Sequence, residues 1–279
     1  MLGAIIGDIV GSRFEFVEDG RREKDFVFFH PSCRPTDDSF MTLAIAEALV
    51  LSQEEREHLG EKAVASMKKV ARAHPNTGWG ERFHRWLFQD IYTKPYNSFG
   101  NGAGMRVSPI GWVAESEDEV KTLSKVVTEV SHNHPEGLKG AEAIAMAVYL
   151  ARIGKDKNEI RARMQEYYVE LKDPNFTIKN IHGRYGYDED GNWVTCQGSI
   201  PQALIAFLDS ESFEDAIRNA VCIGGDSDTI GAMAGSIAEA YYGVAYDIED
   251  KALSYLSEDL LGIYYAFETV KRKRVRRTS

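Results

Sequence analysis

The stretch Gly224-Gly225-Asp226-Ser227-Asp228-Thr229 puts two carboxylates and two hydroxyls into four consecutive positions where a helix should begin, ahead of a run of small residues that reaches Gly243. A folded chain does not gather that much negative charge without compensation. Asp, Ser and Thr are also favoured helix N-cap and first-turn residues and suit the positive end of the helix dipole, so capping alone accounts for one such cluster. A second cluster changes the reading. Thr36-Asp37-Asp38 heads another apolar-periodic run (Phe40, Met41, Leu43, Ala44, Leu49, Val50), roughly 190 residues earlier in the chain, and the two can meet only through the fold. If they do meet, Glu15 from a third segment would bring the converging carboxylates to five. Left alone they would protonate or repel, whereas two divalent ions set about +4 against −5 and leave a nearly neutral site. Carboxylate and hydroxyl oxygens are hard ligands, suited to Mg, Mn or Ca and poorly suited to Zn or Cu(I).

A set of short motifs then occurs in a fixed order: Gly7-Asp8-Ile9-Val10-Gly11 followed by Glu15; Thr36-Asp37-Asp38; Ser98-Phe99-Gly100-Asn101-Gly102 running on to Met105-Arg106; His134-Pro135; and Gly224-Gly225-Asp226-Ser227-Asp228-Thr229-Ile230-Gly231. Each alone is weak, but the ordered set resembles the ADP-ribosylglycohydrolases, the group of dinitrogenase-reductase-activating glycohydrolase and the ADP-ribosylhydrolases, over nearly the whole chain. The resemblance implies an all-α, single-domain orthogonal helical bundle with at most a small β insertion. It further implies two divalent cations, Mg or Mn, held by Thr36, Asp37, Asp38, Asp226, Asp228 and Thr229. Asp37, Asp228 and Glu15 would serve catalysis, with base or gate both open for Glu15. Asn97, Ser98, Phe99, Gly100, Asn101, Gly102, Gly104 and Met105 would contact the diphosphate and ribose of the substrate, and His134 would face a ribose. Phe99 stands where some family members carry Tyr, which removes one potential hydrogen bond to substrate.

The residues support a loop of this kind independently, because repeated Gly lets successive amide N–H groups turn toward one anion. No Gly-Lys-Ser/Thr follows, so the stretch is not a P-loop, and the spacing of Gly100, Gly102 and Gly104 does not fit a dinucleotide fingerprint. His132-Asn133-His134 has no third His or Cys nearby, which favours capping or substrate contact over a zinc site.

The formal charge of −10 argues against nonspecific binding to nucleic acid or an anionic membrane surface. Cys33, Cys196 and Cys222 are odd in number and scattered, as expected of thiols kept reduced in a cytosol. Asp8 interrupts the N-terminal apolar residues too early for a signal peptide, and no run of ~18 apolar residues occurs, so a cytoplasmic protein is expected; a monomer is expected as well.

Along the chain, Gly3, Gly7 and Gly11 recur every fourth residue in a helix expected over residues 3–16, leaving a side-chain-free strip for close packing or a ligand. Helices are expected to about Ser52, over 54–73, 117–130 and 135–153, from Ser199 ahead of Pro201, and after Ser212. Residues 173–197 carry the one β signal, with Phe176, Ile178, Ile181, Tyr185, Tyr187, an Asp190-Gly191 turn, Trp193 and Val194 suggesting a small hairpin or decorated loop. The basic end from about Lys271 reads as a solvated tail.

The expected function is hydrolysis of the α-N- or O-glycosidic bond between ADP-ribose and an acceptor, arginine being the family's most frequent one, on ADP-ribosylated protein or a small ADP-ribosyl substrate. A non-catalytic ADP-ribose-binding protein, or a dinuclear hydrolase of another ADP-ribose or phosphoester metabolite, are the alternatives.

Overall fold

The glycine strip of the first helix lies directly on the backbone of a helix more than two hundred residues later in the computed structural model, which describes residues 1–15, 17, 23–53, 56–89, 94–181 and 192–278, with side chains to 273. The α-helices in order are α1 (Leu2–Gly11), α2 (Asp37–Leu51), α3 (Leu59–Ala73), α4 (Glu81–Phe88), α5 (Gly102–Met105), α6 (Ser108–Val113), α7 (Glu117–Thr128) and α8 (Pro135–Arg152). They continue as α9 (Lys157–Met164), α10 (Ile178–Ile181), α11 (Cys196–Leu208), α12 (Phe213–Ile223), α13 (Ser227–Tyr242), α14 (Tyr246–Leu253) and α15 (Glu258–Thr278). The protein is all-α: among the described residues there is no sheet, and Gly100 and Thr195 form an isolated antiparallel bridge.

Helix α13 is central, packing against α1, α8, α11 and α12. Its small residues make this possible. A Cβ added to Gly7 would lie 2.0 Å from the Gly231 carbonyl oxygen, and one added to Gly3 equally close to that of Gly235. Real side chains cannot occupy that space, so the two backbones pack with nothing between them. Ala141, Ala143, Ala145 and Ala147 of α8 are all fully buried, giving a second closely packed helix.

The hairpin suggested for 173–197 does not appear among the described residues. Ile178 and Ile181 lie on α10, and Asn192–Val194 forms a 3-10 turn. Tyr185, Tyr187, Asp190 and Gly191 lie outside the described residues. Phe176 and Ile178 alternate as strand residues do, whereas Ile178 and Ile181, three apart, fall on one helical turn, and the shorter spacing misled the pattern. Helix α11 also starts earlier than expected: Thr195 caps it by accepting from Gly198 N, leaving Pro201 inside the helix. Ser212 caps α12 as expected, accepting from Asp215 N.

Of the basic end, which completes α15, Arg272 and Lys273 are exposed, as expected of solvated charges, and Lys271 differs. It is drawn onto the protein, where its ammonium stands 3.8 Å from the Trp112 ring centroid and donates to Glu239 Oε1 (2.9 Å) and Glu268 Oε1 (3.1 Å). The other Glu239 oxygen accepts from Gly3 N at 2.8 Å and from the Met1 amino group at 2.6 Å. Burial alone would push this carboxyl up, but Lys271, the Met1 ammonium and the Gly3 amide carry it down to about 2 from the usual 4.5. A carboxyl depressed on folding stabilises above its unfolded pKa and loses that contribution as pH falls from about 4.5 toward 2. Glu239→Gln is therefore expected to cost about 3 kcal/mol in urea unfolding at pH 7, with a gap from the parent that narrows steadily below pH ~4.5.

Candidate metal centre

Asp8 organises the site from within α1. It is completely buried. Its Oδ2 accepts from the amides of Thr36 (2.9 Å) and Ser39 (3.0 Å) and, in a very short bond, from Ser39 Oγ, while Oδ1 accepts from Thr36 Oγ1 at 2.6 Å. One carboxylate thus satisfies two N–H groups at the start of α2, on either side of Asp37 and Asp38, and fixes how those acids are presented. Burial raises its pKa to about 6, against the lowering effect of the Ser39 and Thr36 bonds.

The late acidic turn arrives through Gly224 (φ 90°) and Gly225 (φ 71°), two left-handed positions that let the chain reverse from α12 into α13. Asp228 Oδ1 accepts from Thr229 N at 3.0 Å, and Thr229 Oγ1 donates to Asp38 Oδ2 at 3.1 Å. Thr36 Oγ1 also lies 3.4 Å from Asp228 Oδ2. Asp226 accepts from Asn101 Nδ2 at 2.6 Å, which ties the glycine-rich loop to the same cluster. The two acidic helix starts therefore touch side chain to side chain, although 191 residues separate Asp38 from Thr229.

The donor set fits divalent cations. One oxygen each from Asp8, Asp38 and Asp228 lies within 4.8 Å of the others, as does one each from Glu15, Asp226 and Asp228. The two triads share Asp228. Asp38 Oδ1 is buried without any hydrogen-bond partner among the described residues, an orphan acceptor that a cation would satisfy. Burial pushes the pKa values of Asp37, Asp38 and Asp228 well up, and neighbouring carboxylates push them further. Glu15, in the turn after α1, rises to about 7 through burial and the charges of Asp226 and Asp8, opposed by Arg34. Hard oxygen donors crowded to this degree are what bound divalent cations compensate.

A cavity of about 440 Å³ opens onto the cluster, within the range of small-molecule sites. Glu15, Asp37, Asp38, Asp226, Asp228 and Thr229 form one wall, and Ser98, Gly100, Asn101, Gly102 and Met105 another. The remaining expected residues lie elsewhere. Thr36 sits behind the acids with Asp8. Asn97 N donates to Asn133 Oδ1 at 2.7 Å. Gly104 faces the core, where an added Cβ would meet Met233 Sδ at 2.9 Å. Phe99 is 40% exposed, with its ring centroid 5.1 Å from that of His134. His134 Nδ1 accepts from Glu136 N and caps α8, while His132 is the histidine that lines the cavity.

Two amides of the glycine-rich loop are already engaged. Gly100 N donates to Ser98 Oγ at 3.2 Å and Asn101 N to the Val194 carbonyl at 2.9 Å. Its glycines also provide clearance: a Cβ on Gly102 would stand 3.2 Å from His132 Nε2. Sequence reasoning quoted Asp8 in a motif without giving it a role. The available signal was an acid inside a glycine-spaced helix with no exposed face.

The sequence pattern of the ADP-ribosylglycohydrolase family matches residues 1–274. The chain belongs to that family. This family member is 26% identical over 308 residues to human (Homo sapiens) ADP-ribosylhydrolase ARH3, an alignment covering 88% of this chain and 84% of the relative. It is 28% identical over 270 residues to the ADP-ribosylarginine hydrolase Tri1 of Pseudomonas putida (strain GB-1), covering 88% and 70%. Among solved structures, one described as an ADP-ribosylglycohydrolase-related protein complex superposes with a TM-score of 0.66 at 24% identity, covering 97% of each chain, a likeness of fold. Among the described residues no helix is long and apolar enough to cross a membrane.

Proposed function

We propose that this protein hydrolyses the glycosidic bond between ADP-ribose and an acceptor, with ADP-ribosylated arginine on protein as the substrate, in one domain spanning the chain. The observation that carries the reading is the pair of carboxylate triads sharing Asp228 at the wall of a cavity of about 440 Å³. Kinship with a relative named for ADP-ribosylarginine hydrolysis supports the choice of acceptor.

Cleavage at an anomeric carbon passes through an oxocarbenium-like state and needs an attacking water and a protonated leaving group. Two Mg or Mn ions would be held by Asp8, Thr36, Asp37, Asp38, Asp226, Asp228 and Thr229; when bound, they supply positive charge that neutralises the carboxylates and polarises substrate oxygens. Asp8 holds the α2 start in place, Asn101 holds Asp226, and the Ser98–Met105 wall orients the ligand. Glu15, which lines the cavity beside Asp226 and Asp228, would take the proton of the attacking water.

The test is incubation with ADP-ribosylarginine protein and added Mg or Mn. Free ADP-ribose is expected, and EDTA is expected to stop its release. AMP among the products would make the protein a diphosphate or phosphoester hydrolase, and ligand-induced thermal stabilisation without turnover would make it a binding protein. Undiminished cleavage in EDTA would end the metal assignment.

A further inference from the structure

The cavity wall away from the acids holds a cation that the proposed reaction does not use. Arg106 is completely buried, its guanidinium carbon stands 5.5 Å from the Phe83 ring centroid, and its Nε and Nη1 have no hydrogen-bond partner among the described residues. Burial lowers its pKa to about 10, so it stays charged at neutral pH. With no exposed surface it acts through what it touches.

Its Nη2 donates to Ser131 Oγ at 2.7 Å and lies 3.4 Å from His132 Nδ1, and Ser131 Oγ is 2.9 Å from that same ring nitrogen. A guanidinium can only donate. One Ser131 lone pair is therefore committed to Arg106, and the hydroxyl hydrogen is free to point at Nδ1. A proton on Nδ1 would face the Arg106 N–H at 3.4 Å, a donor against a donor. The ring proton belongs on Nε2, the nitrogen turned toward the glycine bend, where a Cβ on Gly102 or Gly100 would stand 3.2 or 3.7 Å away.

We propose that Arg106 and Ser131 are positioning residues that lock His132 in its Nε2–H tautomer, so that the cavity offers a fixed, uncharged donor at the glycine bend to an oxygen of the bound ligand. The ligand half of this statement rests on reading the cavity as the substrate site; the tautomer half does not. The charged or titratable groups facing the ring are Arg106, Arg82 and Tyr96, whose ring centroid is 5.9 Å away. Burial and the two arginines hold the imidazole well below its ordinary value, and burial holds the Tyr96 phenol neutral, at about 12. The donor thus keeps one form across the pH range in which an ordinary histidine switches.

The experiment uses the full chain labelled with ¹⁵N-histidine, with the His132 ring signals assigned by their loss in His132→Gln. Wild type is expected to show Nε2–H and a bare Nδ1 from about pH 5 to 8. Ser131→Ala and Arg106→Met are expected to show mixed tautomers and a ring that titrates. Their affinity for ADP-ribose should fall about tenfold and become pH-dependent. An Nδ1–H or imidazolium form in wild type at pH 7 overturns the proposal, as does a Ser131→Ala ring spectrum and affinity identical to wild type. Should Arg106→Met fail to fold, wild type and Ser131→Ala decide. ADP-ribose release together with the wrong tautomer would sink the lock alone. The stated tautomer in a protein that binds no ADP-ribose would sink the functional reading alone.

Discussion

Asp228→Asn is expected to lower ADP-ribose release more than about 100-fold while raising the melting temperature of the metal-free protein. Asp228 belongs to both carboxylate triads, and loss of even an outer-shell partner of a metal costs roughly 10- to 100-fold. The same residue is a liability without cations: it is buried, and Asp226, Asp38, Glu15 and Asp8 all repel its charge. Asn keeps the shape and the Oδ1 that accepts from Thr229 N. Metal-free wild type should also lose stability as pH rises. Carboxyls whose folded pKa is raised contribute fully below the ordinary 3.8 to 4.5, and that contribution goes as pH climbs through about 6 and 7, the values of Asp8 and Glu15. Removing one member flattens the slope. Added Mn should raise the melting temperature of wild type and leave that of the variant where it was. An equal Mn shift in both proteins, with release intact, would remove Asp228 from the centre.

Gly7→Ala should cost more than about 3 kcal/mol, at or beyond the upper end for overpacked cores. Its methyl carbon would fall 2.0 Å from the Gly231 carbonyl oxygen, and backbone does not yield as a side-chain tip does. Gly262→Ala in α15 is the control. Nothing lies within 4 Å of its added Cβ, and the change should stabilise by about 0.4 to 1 kcal/mol. Urea unfolding measures both, and similar values for the two would mean that α1 and α13 are not in backbone contact. Separating these helices also separates Asp8 from Asp228, so metal-dependent stabilisation should fall with the fold.

Charge density at two helix starts was legible in the sequence because unpaired carboxylates are costly wherever they are buried, and the glycine spacing of α1 announced a close approach. Which surface it approaches was not legible. Gly3 and Gly7 find their complement in Gly235 and Gly231, and such pairing is a property of two segments that no local pattern contains. Asp8 went without a role for a related reason: its function is to satisfy amides of α2, which requires knowing that α1 crosses the start of α2. The histidine pair shows a finer limit. Alternate residues ahead of a helix can each cap it or line a cavity, and only the geometry separates His134 on the Glu136 amide from His132 beside Gly102. That Lys271, unlike Arg272 and Lys273, turns inward was not legible either, because a basic run gives no sign that Glu239 waits on another helix.

The contact between Thr229 and Asp38 has a consequence for synthesis. On the proposed reading, a ribosome that has made only the first half of this chain has made four of the seven residues that would hold the cations, with nothing opposite them. Cation capture must wait until the segment beyond Gly224 has emerged and docked, so nascent or C-terminally truncated chains should pass through the cell without competing for its divalent ions.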